Sequence, residues 1–114
     1  MKYPERGENY VEHIAEAIDR ATDYLQPVPD LQAFQKNTQV QDAAVRNIEI
    51  IGEAVRKIHS AAPAFIKQHS ELTWAQMRGM RNIAIHEYFF VDLEIVWNTV
   101  KHDFPKLKQQ MILC

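Results

Sequence analysis

Thr38-Gln-Val-Gln-Asp-Ala-Ala-Val-Arg-Asn-Ile-Glu-Ile-Ile-Gly-Glu-Ala-Val-Arg-Lys-Ile58 decides the fold. Ala44, Ile48, Ile51, Val55 and Ile58 recur at alternating steps of four and three, which is one apolar stripe of an α-helix. Val40, Ala43, Ile50 and Ala54 form a second stripe, with Asn47 its one polar member. A helix apolar on two sides lies at the centre of a bundle or touches a partner chain. Thr38 followed by Gln41 predicts a capped start. Gly52 stands mid-helix at a cost of about 1 kcal/mol against alanine, so close backbone approach by a neighbour is the expected compensation.

Working upstream, Val11, Ile14, Ile18, Ala21 and Leu25 give another stripe, with Glu12, Glu16, Asp19 and Asp23 on the wet side. This helix is predicted to start near Asn9 and to stop before Pro27 and Pro29, because proline lacks the donor and restricts its predecessor. Asp30 to Asn37 reads as a connector with one short turn carrying Leu31 and Phe34. Working downstream, Pro63 to His69 predicts a short helix with Phe65 and Ile66. A longer one runs from Trp74 towards Phe90, with Thr73 and Gln76 as its capping box. Asp92 caps a last helix with Leu93, Val96, Trp97 and Val100 inward. Asp103-Phe104-Pro105 is expected to break it, with Leu107 to Leu113 adding a turn or two. No stretch alternates with period two over a strand's length. The expectation is an all-α, antiparallel bundle of four to five helices forming a single domain over residues 1–114.

Composition narrows the function classes. A chain that is 46% apolar and 25% charged is an ordinary globular chain rather than a disordered one. No apolar run approaches 18 residues, so no membrane span is expected. The opening Met1-Lys-Tyr-Pro-Glu-Arg6 has no apolar signal core behind it. A single cysteine, Cys114, cannot pair internally, which suits a reducing cytoplasm. A net charge of −2 excludes a general nucleic-acid coat. The charge is uneven, however: no acid falls between Glu53 and Glu71, while Arg56, Lys57, His59, Lys67 and His69 do. Such a local basic face suits a phosphate backbone or a solvated helix end.

The candidate chemistry lies in Arg81, Asn82, His86 and Tyr88. Histidine titrates near neutral pH and serves as base or acid. Arginine is always charged and grips phosphate oxygens through parallel donors. Asn82 can donate to a phosphate or orient the histidine. Metal-free cleavage of RNA needs such a base near the 2′-hydroxyl and such a cation near the phosphate. At about 100° per residue, Tyr88 falls within roughly 20° of the Arg81 face and His86 about 140° away. Either the helix ends or distorts near His86, or a second surface completes the site. A two-fold dimer supplies such a surface, and Gly79 would permit close approach. Two blander assignments stay open: Arg81 paired with Glu49 or Glu53, and His86 as a satisfied core residue. No histidine spacing fits a metal, and no glycine-rich phosphate loop is present. Asn47, Glu49 and Glu53 either support the Arg81 site or hold helices together. Trp74, Trp97 and Phe89 are expected in the core.

Arg81, four residues, His86, one residue, Tyr88 resembles the signature of the HepT toxins of the HEPN superfamily. The likeness extends to Asn47-Ile-Glu-Ile-Ile-Gly-Glu-Ala54, to Trp74 with Met77-Arg-Gly-Met-Arg-Asn82, and to Val91-Asp92 through Trp97 with Asp103-Phe-Pro105, all in the same order. Within the motif, Ile83-Ala84-Ile85 is apolar and Glu87 adds an acid beside His86. The resemblance implies an HEPN-like bundle, a homodimer and a metal-independent endoribonuclease without a cofactor, the toxin of a type VII toxin–antitoxin system. It implies an RNA substrate and an MntA-like nucleotidyltransferase antitoxin that inhibits by AMPylation. By position, Arg81 and His86 would be catalytic, Asn82 supporting and Tyr88 the modified residue. A non-catalytic helical module that docks a minimal nucleotidyltransferase or a nucleotide is the alternative, and a purely structural dimer is a third.

Overall fold

The computed structural model of the chain describes residues 6–85 and 92–112; for residues 6–8, 81, 83–85 and 112 it describes the helix but not the side chain. Helix α1 is Arg6–Leu25, α2 Leu31–Gln35, α3 Thr38–Ala61, α4 Pro63–Gln68 and α5 Trp74–Ile85. Helix α6 (Leu93–Asn98) passes through a π-helical turn (Thr99–Asp103) directly into α7 (Phe104–Ile112). No strand occurs among the described residues. The four long rods α1, α3, α5 and α6–α7 carry the bundle, and α2 and α4 brace it.

Helix α3 is the spine, because its two apolar sides each find a helix: α1 on one and α5 on the other. Ala44, Ile48, Ile51, Val55 and Ile58 of its first stripe are fully buried. So are Ile14, Ile18, Ala21 and Leu25 of α1, with Val11 half-buried at the stripe's edge. Met77 and Met80 supply the inward face of α5, and Val96, Val100, Phe104 and Leu107 that of α6–α7. Burying a side chain of this size is worth about 1.5–3 kcal/mol, so this shared interior is the main favourable term of the fold. Trp74 and Trp97 are half-buried at its rim rather than inside it. The Trp74 indole donates to the His69 carbonyl at 2.9 Å, and Trp97 lies against Phe34 with ring centroids 5.5 Å apart. Phe89 lies outside the described residues.

The expected helix starts are missed at two helices and met at a third: α1 begins at Arg6 rather than near Asn9, α3 is capped one residue early, and α6 is capped by Asp92 as expected. Asn37, not Thr38, caps α3, its side chain accepting from the Val40 amide. Asparagine is the stronger N-cap, and Thr38 becomes the first helical residue. Gln41 is thereby released from a capping box, and its amide donates to the Phe34 carbonyl at 2.8 Å, tying α2 to α3. The Thr73 hydroxyl, at the head of α5, donates to Gln110 of α7. Asp30 caps α2 and Asp92 caps α6, accepting from the Glu94 and Ile95 amides.

Asp103-Phe104-Pro105 does not break the last helix. Pro105 has no amide hydrogen, and its ring crowds the carbonyl four residues back. The π-helical turn widens the backbone there: Phe104 donates to Thr99, five residues earlier, instead of four. Thr99 is buried, and its hydroxyl bonds back to the Ile95 carbonyl at 2.7 Å, a contact that also bends helices. The rod then runs antiparallel to α1. Lys101 reaches the Leu25 carbonyl that ends α1, at 3.3 Å, and Lys108 pairs with Asp19 six residues before that end.

Candidate functional site

Helix α5 carries the candidate residues out of the core. Met77 and Met80 fix its rotation, which leaves Ala75, Arg78 and Asn82 exposed. Arg81 belongs to α5, which remains helical through Ile85. The Arg81 side chain, and His86, Glu87 and Tyr88 entirely, lie outside the described residues. Of the predicted site, the structure therefore places Asn82 on the surface and Arg81 one residue before it on the same helix.

Beside this helix runs a groove of about 430 Å³ lined by Gly52 and Arg56 of α3 and by Ala75, Arg78, Gly79 and Asn82 of α5. Among the described residues no carboxylate lines it. Gly79 makes no close packing contact among the described residues: a methyl group placed on it would meet nothing within 4 Å. Its missing side chain keeps the groove open. Arg56 is held by Glu53 through Nε at 3.2 Å and Nη2 at 2.7 Å. The hydrogen bond that the guanidinium donates to Glu53, and then the charge of Glu53, raise its pKa above the ordinary value. Arg78 has no acidic partner among the described residues. Sequence reading singled out Arg56 through the acid-free stretch but missed Arg78, which stands alone among uncharged neighbours; its helical offset from Arg81 was the available signal.

The other expected helpers divide. Asn47 is buried, with its amide nitrogen donating to the Ala43 carbonyl at 2.8 Å and its oxygen unpartnered among the described residues. Glu49 is exposed, and Glu53 is engaged by Arg56. Both line a second cleft, of about 500 Å³, between α1 and α3. There Glu16, Glu49 and Glu53 face Arg20, Arg46 and Lys57, so its charges balance. Among the described residues no three histidine, cysteine or carboxylate side chains gather as a metal site would require. No helix among them is long and apolar enough to cross a membrane.

These features define a small all-α bundle with a basic groove beside the helix that carries Arg81 and Asn82. The family of HepT-like ribonucleases matches residues 14–113. The chain belongs to that family, as its motif and blocks anticipated. A protein of Thermococcus cleftensis named as a probable ribonuclease HepT is 39% identical over 100 residues, covering 88% of this chain and 87% of that one. A Caldanaerobacter subterraneus protein named as a candidate RNase is 34% identical over 102 residues, covering 90% and 88%. A Methanocaldococcus jannaschii protein named as a γ-glutamylcyclotransferase and candidate RNase is 36% identical over 103 residues; these are 90% of this chain and 45% of that longer protein. No solved structure matches.

Proposed function

We propose that this chain is a metal-independent endoribonuclease, the toxin of a toxin–antitoxin pair, working as a homodimer. The observation that carries the reading is family membership over nearly the whole chain together with Asn82 exposed on α5 beside a groove that Arg56 and Arg78 also line. In this reading the His86 imidazole takes the proton of a ribose 2′-hydroxyl. The freed oxygen attacks the adjacent phosphorus and the 5′-oxygen of the next nucleotide leaves. Arg81 stabilises the charge that grows on the phosphate, and Asn82 holds a phosphate oxygen or the imidazole. Control falls to Tyr88. Its hydroxyl attacks the α-phosphate of ATP, held by a cognate MntA-like nucleotidyltransferase, and pyrophosphate leaves. The adenylate then occupies the groove and offsets the arginine.

The test is cleavage of labelled RNA by purified protein in the presence of a chelator. His86→Ala should lose a factor on the order of 10²–10⁴ while keeping its helical spectrum. Strict dependence on magnesium, or full activity in that variant, overturns the assignment. Mixing Arg81→Ala with His86→Ala chains tests the dimer. Sites shared across a two-fold axis would regain about a quarter of the activity, because each mixed dimer then holds one intact pair; sites within one chain would regain none. Intact mass after incubation with ATP and the neighbouring nucleotidyltransferase tests control, which requires an adenylate increment absent from Tyr88→Phe.

A further inference from the structure

We infer that the groove between α3 and α5 is a binding track for the phosphate backbone of single-stranded RNA, with Arg56 and Arg78 as its phosphate-gripping residues. The inference rests on the ribonuclease reading and extends it to residues outside the Arg81–His86 motif.

Charge selects this groove over the other. The α1–α3 cleft is larger, but three carboxylates oppose its three cations, and a phosphate chain would gain nothing there. The α3–α5 groove presents two guanidinium groups and the Asn82 amide, with no acid among the described residues of its lining. Its volume of about 430 Å³ lies within the roughly 300–1,000 Å³ usual for ligand clefts.

Geometry adds a second reason. Glu53 uses the Nε hydrogen of Arg56 and one Nη2 hydrogen. An arginine has five N–H donors, so three remain. Glu53 approaches from the ridge that borders the other cleft, since it lines that cleft while Arg56 lines this one. The pair therefore holds the guanidinium in position without consuming it, the arrangement that lets a planar cation grip an oxyanion at low entropic cost. Arg78 stands three residues before Arg81 and four before Asn82. At about 100° per residue, its position on α5 falls between those two. A strand lying in the groove would thus reach the Arg81 position by way of Arg78. Gly79 supplies the floor: with no side chain and open space above it, it lets a ribose-phosphate chain approach the helix backbone.

The experiment measures binding of a short fluorescent single-stranded RNA, 2′-O-methylated throughout so that it cannot be cleaved, by anisotropy at several salt concentrations. Arg78→Ala should weaken binding roughly five- to tenfold at low salt and flatten the salt dependence by about 0.7 in the log–log slope, as loss of one phosphate contact to a single strand requires. Arg56→Ala should act in the same direction. Gly79→Leu should weaken binding by filling the groove without lowering the melting temperature, because the added side chain enters open space and leucine is a better helix former than glycine. Arg78→Ala and Gly79→Leu that both bind normally overturn the track, as does a wild-type chain that fails to bind the probe. A Gly79→Leu chain whose mass by light scattering drops to the monomer shows that a second copy covers the groove, which also overturns it. The two readings fail separately. Lost binding in Arg78→Ala with no cleavage by the wild type removes the nuclease and keeps the track; normal binding in Arg78→Ala with His86-dependent cleavage removes the track and keeps the nuclease.

Discussion

Asn47→Leu should make the chain more stable, although it removes a hydrogen bond from the centre of the longest helix. Asn47 is 4% exposed. Its amide nitrogen donates to the Ala43 carbonyl, and its side-chain oxygen has no partner among the described residues. An orphaned buried acceptor costs about 1–3 kcal/mol, whereas the bond that would be lost contributes about 0.5–1.5 kcal/mol. The Ala43 carbonyl keeps its place in the α3 ladder either way. Leucine has nearly the same shape and adds apolar burial, part of which is lost to imperfect packing. The net gain is about 1–2 kcal/mol. For a domain of this size, that raises Tm by roughly 4–8 °C. The contrast is Asn47→Asp, which removes the donor and adds a buried charge, and should destabilise by several kcal/mol. Thermal and urea melts at one fixed protein concentration measure both, since association would make Tm depend on concentration. A lower Tm for Asn47→Leu at an unchanged m-value would refute the reasoning, because the oxygen would then have a native partner. A higher Tm accompanied by lost RNA cleavage would show instead that the chain keeps this costly amide for its site.

Three further outcomes follow from the packing. Phe34→Ala should cost about 3–5 kcal/mol in a urea melt, because Phe34 is fully buried, holds the short α2 and supports Trp97. Gly79→Ala should raise stability by about 1 kcal/mol, since the methyl group meets no atom and a mid-helix glycine is a poor helix former. The Arg56 guanidinium is raised by Glu53, so its contribution is fully present below arginine's ordinary value and is lost only as pH rises through the raised one. Arg56→Ala should therefore shift Tm by the same small amount at every pH from about 5 to 9, and a shift confined to one end of that range would count against the pairing.

The bundle was legible because its signals are periodic. The stripes of α1 and α3 name the buried residues almost one for one, and Asp30 and Asp92 mark helix starts by the only chemistry their positions allow. Legibility ended where two local rules compete. Asn37 and Thr38 are adjacent caps, and the stronger one wins by a margin that sequence inspection does not weigh. Pro105 reads as a stop, yet a π-helical turn begun at Thr99 absorbs its missing donor. Gly79 offered room for a second surface, and only three dimensions show that the described residues leave that space open. The basic groove was half-legible: the acid-free stretch pointed to Arg56, while Arg78 belongs to a different helix whose nearness to α3 no local pattern reveals.

The same distinction sharpens what must bring Arg81 and His86 together. Five helical steps separate them by about 140°, and an early distortion of α5 was one way to close that angle. Helix α5 is α-helical through Ile85, so no irregularity between Arg81 and Ile85 performs that task. Asp92 restarts the chain as a capped helix. Whatever joins the two side chains therefore acts at or after His86, or across two copies of the chain. The first route needs one chain and the second needs two. The Arg78–Asn82 face of α5 stands beside the open groove under either route, because Met77 and Met80 anchor the opposite side of the helix in the core. A phosphate chain laid along that face meets the Arg81 position from the same direction in both cases. The groove and the motif can thus belong to one RNA path whether one protomer or two complete it.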